Sequence, residues 1–215
     1  MKNRFYKTSS HGGCGSTVMF WAVNGNGYVT DIDEAHIYTH EEMQHEVNEK
    51  YYCEATIPLS SDHVDALSTW RVDCQYIIED DHYPNSVDPN NEYVAIKKQC
   101  WDGNDLAFSN GLGFGYDYSK SSTFNSVAAE LEDNNSDFYF VPKSITDQLA
   151  RRTFQTRNIN RRKMIQGAGI IGVRKQREST SSGKTRWNCP TCGKISWQYN
   201  PYNFDGCTDW LCDSY

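Results

Sequence analysis

Histidine is scarce in this chain and confined to its first part: there are six in 215 residues, and none lies beyond His82. A catalytic zinc ion usually takes histidine or carboxylate ligands and keeps one position for water, so the C-terminal part lacks the histidine donors of such a site. There is also no apolar run of about 18 residues, the length that a membrane-spanning helix needs. The opening Met1-Lys2-Asn3-Arg4-Phe5-Tyr6 has no apolar stretch of the secretory kind, so no signal peptide is expected. No fixed-period repeat runs through the chain, which excludes a solenoid. Acidic residues, abundant elsewhere, almost vanish between positions 149 and 187, where Glu178 stands alone.

That last absence exposes a strong division of charge. Residues 1–148 carry 9 Lys/Arg against 24 Asp/Glu, whereas residues 149–187 carry 11 Lys/Arg against one acid. The remaining stretch sets Lys194 against Asp205, Asp209 and Asp213, so the overall net charge of −7 hides the segregation. An acidic part that repels polyanions is joined to a segment that attracts them. At 38% hydrophobic, the chain has enough apolar material for a real core and one or two domains.

Four of the eight cysteines stand in two close pairs near the C-terminus, Cys189-Pro190-Thr191-Cys192-Gly193 and Cys207-Thr208-Asp209-Trp210-Leu211-Cys212. Four thiolates so arranged suit one tetrahedral Zn²⁺ with no open position, a structural site. In the first pair the glycine lets the chain fold back, so that backbone amides can face the sulfurs. The second pair leaves four residues between its cysteines, where ribbon modules usually leave two; disulfide pairing and a redox dithiol are the competing readings. The 28 C-terminal residues are too few for a core of their own, so metal binding would supply much of their folding free energy. Cys14, Cys53, Cys74 and Cys100 are scattered singly and read as reduced, mostly buried thiols of a cytosolic protein.

Elsewhere the pattern alternates short strands with a few capped helices. Val18–Val23 and Tyr28–Thr30 flank Asn24-Gly25-Asn26-Gly27, a β-hairpin signal. Asp31 caps a single turn, and Thr39-His40-Glu41-Glu42 is a capping box opening a helix to about Asn48. Strands are expected at 52–59, 74–78 and 138–141, and a second hairpin at 93–108 around Asp102-Gly103-Asn104. Further helices are expected after Ser60/Ser61, over 123–131 and from Ser144, the last carrying Arg151, Arg152 and Arg157 on its solvent side. Asn158 caps a short basic helix, and 167–183 reads as a linker.

The basic segment favours arginine over lysine, eight to three, as bidentate phosphate contacts do. Just beyond it lie Trp187, Trp197, Tyr199, Tyr202, Phe204 and Trp210. Basic residues beside exposed aromatics hold single strands by charge and stacking. Three plainer readings compete: the aromatics pack around the metal, the arginines dock onto the acidic part of the same chain, or the basic residues are simply solvated charge.

Several apparent catalytic motifs fail. Gly167-Ala168-Gly169-Ile170-Ile171-Gly172 matches the dinucleotide pattern, but a basic stretch precedes it instead of an apolar strand, and no acid follows at the ribose position. Gly183-Lys184-Thr185 would need a glycine where Glu178 stands. His36, His40 and His45 read as surface residues. The acids Asp31, Asp33 and Glu34, and Glu79-Asp80-Asp81, sit at caps and turns, where acids have local structural roles. No converging catalytic set emerges from these residues, and an enzyme of nucleic-acid or nucleotide metabolism stands as a third reading.

The run Phe20-Trp21, Gly27-Tyr28-Val29-Thr30-Asp31-Ile32-Asp33-Glu34-Ala35 and Tyr38-Thr39-His40-Glu41-Glu42 resembles a short module of small bacteriophage-encoded proteins, over about 25 residues. The C-terminal cluster resembles a zinc ribbon. These resemblances imply a phage-type accessory protein acting in bacterial cytoplasm.

The expected architecture is α+β. An acidic domain over 1–142, with a small, mostly antiparallel sheet and a few helices, leads to a basic helical connector over 143–186. A zinc-ribbon module over 187–215 follows, with structural Zn²⁺ on Cys189, Cys192, Cys207 and Cys212. The expected function is binding of nucleic acid, RNA or DNA, or of a nucleoprotein complex, with no membrane partner. Its contacts would be Arg151, Arg152, Arg157, Arg161, Arg162, Lys163, Arg174, Lys175, Arg177, Lys184, Arg186 and Trp197. The alternative is a regulator that inhibits a host polymerase, nuclease or defence protein by presenting the acidic domain as a nucleic-acid mimic.

Overall fold

The computed structural model describes residues 4–49, 56–77, 92–125, 137–173 and 183–215. The chain divides into two units, Met1–Lys175 and Gln176–Tyr215. The fold is α+β, and every strand pairing described is antiparallel.

In the larger unit, β1 (Arg4–Cys14) turns through Gly15-Ser16 into β2 (Thr17–Trp21), whose β-branched and aromatic residues suit a pleated, half-buried surface. The expected hairpin follows: β3 (Tyr28–Val29) pairs Val29 with Phe20 and Tyr28 with Trp21. β4 (Tyr38–Thr39) and β5 (Pro58–Ser60) pair along β1. The capping box is realised at α1 (His40–Asn48), where the Glu42 N–H donates to Thr39 Oγ1 and the Thr39 N–H donates to Glu42 Oε2. Asp31 caps its single turn by accepting from the Asp33 N–H at 2.9 Å. α2 (Ser61–Ala66) starts where expected but ends early.

A short pair, β6 (Thr69–Val72) with β12 (Ala150–Thr153), is separate from a second sheet built on β7 (Glu92–Asp102). β8 (Asp105–Ser109) returns from β7 through Gly103-Asn104, as the sequence suggested, and β9 (Phe114–Gly115) follows it. β10 (Thr123–Asn125) and β11 (Phe138–Pro142) also pair with β7. The expected helix over 123–131 is a strand in its first three residues, and the remainder lies outside the described residues. The expected strand at 74–78 is a 3₁₀ turn at Cys74–Tyr76, because Asp73 accepts from the Gln75 N–H and turns the chain. The strand expected at 52–59 is described only toward its end, as β5.

The largest departure concerns the connector. α3 (Lys143–Leu149) has no side-chain cap from Ser144 and stops before the arginines, which enter β12 instead. Beyond β12, Phe154, Met164, Ile165 and Ile170 are buried with Phe5, Phe20, Ile32, Met43, Leu59 and Val64 in one core. A second core gathers Val72, Val94, Ile96, Leu106, Phe108, Tyr139 and Val141. Up to residue 173 the supposed connector is thus integral to the larger unit. Four apolar residues were too widely spaced for a helical stripe, so their burial left no periodic signal.

The smaller unit contains one hairpin, β13 (Thr185–Asn188) with β14 (Ile195–Gln198), followed by irregular chain to Tyr215. No helix among the described residues is long and apolar enough to cross a membrane.

Candidate metal centre and basic surfaces

Two knuckles bring the four cysteines together. In the first, the Cys189 N–H donates to the Lys194 carbonyl at 2.8 Å and the Gly193 N–H to the Cys189 carbonyl at 2.9 Å. Gly193 sits at φ 72°, the left-handed conformation that closes this turn. In the second, the Cys207 N–H donates to the Ser214 carbonyl and the Cys212 N–H to the Asp209 carbonyl. The two residues that lengthen this knuckle, Trp210 and Leu211, stand in solvent, at 74% and 72% exposed. The added length therefore projects outward and leaves the sulfurs free to converge. A Lys194–Asp209 ion pair and a Thr191–Ser214 hydroxyl contact tie one knuckle to the other.

All four Sγ atoms lie within 4.8 Å of one another. Cys189–Cys212 and Cys192–Cys207 are each 3.6 Å apart, too long for a sulfur–sulfur bond. A tetrahedron with arms of about 2.3 Å has edges of about 3.8 Å, so the cage fits one thiolate-bound ion. Among the described residues this is the one cluster of His, Cys, Asp or Glu suited to a metal.

The protonation of the thiols points the same way. The Cys189 thiol is pulled down to about 6 by the backbone N–H of Cys192, with burial opposing and the N–H of Thr191 assisting. The Ser214 N–H pulls Cys212 down, yet burial and the neighbouring sulfurs outweigh it and hold that thiol up at about 12. Four adjacent thiols cannot all ionise unaided; a bound cation removes the conflict.

The inner face of the hairpin fixes the approach to the second knuckle. Ser196 Oγ donates to the Gly206 carbonyl, Gln198 Nε2 to the Asn203 carbonyl, and the Asp205 N–H to Gln198 Oε1. Trp187 packs on Phe204 and donates from Nε1 to the Asn200 carbonyl. The outer face is different. Arg186 pairs with Trp197 and Asn188 with Ile195, and Lys184 Nζ lies 5.1 Å from the centre of the Tyr199 ring. Ile195, Trp197 and Tyr199 are 48%, 54% and 70% exposed. Among the described residues no carboxylate pairs with Lys184 or Arg186.

The other basic residues divide. Arg151 lies directly across the β6–β12 ladder from Arg71, an arrangement of like charges that is ordinarily unfavourable. Asp105, only 1% exposed, bridges them: its carboxylate accepts from Arg71 Nη1 at 2.9 Å and from Arg151 Nη2 at 2.7 Å. Thr17 Oγ1 adds a third hydrogen bond to it, and Asp102 accepts a second from Arg71. Arg152 pairs with Asp65 and Asp33. Arg151 therefore serves the interior of its own unit, and Arg152 is engaged by carboxylates of the same unit nearer the surface, as the docking reading allowed. Arg157, Arg162 and Lys163 are exposed, Arg161 is half-buried with a partner, and Arg174, Lys175 and Arg177 lie outside the described residues.

The expected site residues thus fall into two groups, a cysteine cage with Lys184, Arg186 and Trp197 beside it in one unit, and arginines of mixed role in the other. Ile195 and Tyr199 were not among the expected contacts. The two-residue alternation Lys184-Thr185-Arg186 and Ile195-Ser196-Trp197-Gln198-Tyr199 was the signal that could have found them. Gly167–Gly172 packs against α1, with Gln44 exchanging two hydrogen bonds with the Ile171 backbone and His40 Nε2 meeting the Gly169 carbonyl at 3.2 Å.

No protein-family model matches the chain, and neither a curated protein nor a solved structure matches it. The likeness of the N-terminal stretch to a bacteriophage module rests on its residues alone.

Proposed function

We propose that this is a non-enzymatic nucleic-acid-binding protein whose C-terminal unit is a zinc ribbon. Cys189, Cys192, Cys207 and Cys212 hold structural Zn²⁺, which fixes the hairpin without taking part in chemistry. The reading is that of a phage-type accessory protein acting on nucleic acid or a nucleoprotein complex in a bacterial host. One observation carries it: Lys184 and Arg186 share the outward hairpin face with Ile195, Trp197 and Tyr199, a cationic and aromatic surface unclaimed by the unit's own fold. The exposed Arg157, Arg162 and Lys163 supply further phosphate contacts, and Arg151 and Arg152 are removed from the contact set.

The alternative, an acidic unit imitating nucleic acid, draws on fewer carboxylates than the sequence count suggests. Asp33, Asp65, Asp73, Asp102 and Asp105 are already paired with arginines.

The test is filter binding of the full-length, zinc-loaded chain to mixed-sequence oligonucleotides across a salt series. Affinity should fall with a log–log slope of roughly −0.7 per single-strand phosphate engaged. A response indifferent to salt, or no retention at low salt, removes the proposal.

A further inference from the structure

We infer that the outer hairpin face is a stacking platform for single-stranded nucleic acid, with unpaired bases on Trp197 and Tyr199 and the backbone held by Arg186 and Lys184. This rests on the reading above and sharpens it from nucleic acid in general to one form of it.

The argument is one of spacing and of which surfaces a duplex leaves available. Trp197 is on the outer face of β14 and Tyr199 follows one residue past that strand's end, at a bend; two residues of extended chain span roughly 6.7 Å. That is about twice the 3.4 Å rise per base along a duplex strand. Bases seated on both rings are therefore unstacked from each other, a geometry open to a splayed single strand and closed to paired, stacked bases. The charges complete the match. Arg186 lies directly across the ladder from Trp197, and Lys184 Nζ stands over one face of the Tyr199 ring, 5.1 Å from its centre, so a cation accompanies each aromatic position. A base on the ring thus brings its own phosphate toward that cation. Ile195 extends the apolar strip by one more position along the same face. A surface that met phosphate alone would leave the aromatic faces without a role.

The face is also held rigid from behind. The inner residues Ser196 and Gln198 are buried and hydrogen-bonded to the chain leading into Cys207, so the metal cage and the platform are two sides of the same two strands. Stacking on a fixed ring loses little side-chain freedom, and because every base has a π-face such a platform tolerates any base.

Fluorescence anisotropy with the full-length, zinc-loaded protein tests this, using a labelled pyrimidine 10-mer and a blunt duplex of equal phosphate number at low salt. The single strand should bind at least tenfold more tightly than the duplex. Trp197→Ala should weaken single-strand binding by roughly 5- to 150-fold, the range for loss of one base–aromatic stack. Trp197→Phe should recover most of that loss, which a merely structural defect would not allow. Metal content, measured alongside, should be unchanged in both variants, since the ring is half exposed. Equal affinity for single strand and duplex, with Trp197→Ala as good as the unaltered protein, overturns the platform while leaving salt-dependent binding and the broader proposal intact. Failure of both oligonucleotides to bind overturns both.

Discussion

Gly15 and Gly103 meet backbone against backbone. A Cβ built on Gly103 would stand 2.5 Å from the Gly15 nitrogen, and one on Gly15 would stand 2.4 Å from the Gly103 nitrogen. Both residues are at positive φ, 65° and 59°. The turn from β1 to β2 is thereby pressed onto the turn from β7 to β8, and the Ser16 N–H donates to Asp102 at 2.7 Å beside the contact. Two sheets that share no ladder are joined at this point.

Gly103→Ala adds both a strained backbone and a clash with main-chain atoms that have nowhere to go. Left-handed strain and overpacking together should cost about 2–5 kcal/mol. Urea denaturation should report an earlier midpoint for the larger unit, with metal content unaltered. An unchanged midpoint would mean that the turns do not touch.

Asp105→Asn leaves Arg71 and Arg151 facing each other without the charge that bridges them. Breaking a buried pair from one side costs about 3–5 kcal/mol, and this carboxylate serves two arginines. Thermal unfolding should show the loss, whereas Arg162→Ala on the exposed surface should shift the midpoint within about 0.5 kcal/mol. Equal effects from the two substitutions would contradict the division of arginines into internal and external sets.

The same cluster sets an acid limit. Burial pushes the Asp102 carboxyl up, but hydrogen bonds from Arg71 and Ser16 outweigh it and hold it below the usual carboxylate range. A depressed folded value means stability that is complete above the unfolded carboxylate range and is lost as pH falls through the folded value. Stability should be level from neutrality to about pH 5 and should decline below about pH 4. Asp102→Asn should start from lower stability and show a shallower acid decline. At the alkaline end the sign reverses. Burial and Asp65 raise the Tyr6 phenol to about 12, so its contribution fades as pH climbs from 10 toward that value.

Chelation should dismantle the smaller unit alone. Elemental analysis should find one zinc per chain, and Cys189→Ser should abolish stoichiometric loading. Because the thiols must shed protons to bind, loading should weaken as pH falls. On removal of the ion, the Trp187 environment against Phe204 should be lost, and near-ultraviolet circular dichroism would follow it. The larger unit should keep its cooperative transition. Replacing the exposed Trp210 and Leu211 with serine should leave loading untouched.

Local chemistry was readable wherever a few neighbouring residues decide the outcome. The Thr39–Glu42 box, the Asp31 turn, the Asn24–Gly27 and Asp102–Asn104 hairpins and the four cysteines each carry their own short-range signal. Their hydrogen bonds and ligand spacings close within a handful of positions. The connector was misjudged because its helix-favouring start, Lys143–Leu149, said nothing about what Arg151 would meet. Asp105 is 46 residues away in sequence from Arg151.

The amino-acid order by itself determined the cysteine cage, the caps, the tight turns and the division of charge. Only the tertiary structure decided which cations are spent inside and which remain outside. It also decided that Phe154, Met164, Ile165 and Ile170 complete a core begun at Phe5, and that Arg186 and Trp197 share an exposed face. A charge is the same residue whether paired or bare. Its role depends on which carboxylate the folded chain brings within 3 Å or so, and that distance is not written in any short stretch of sequence.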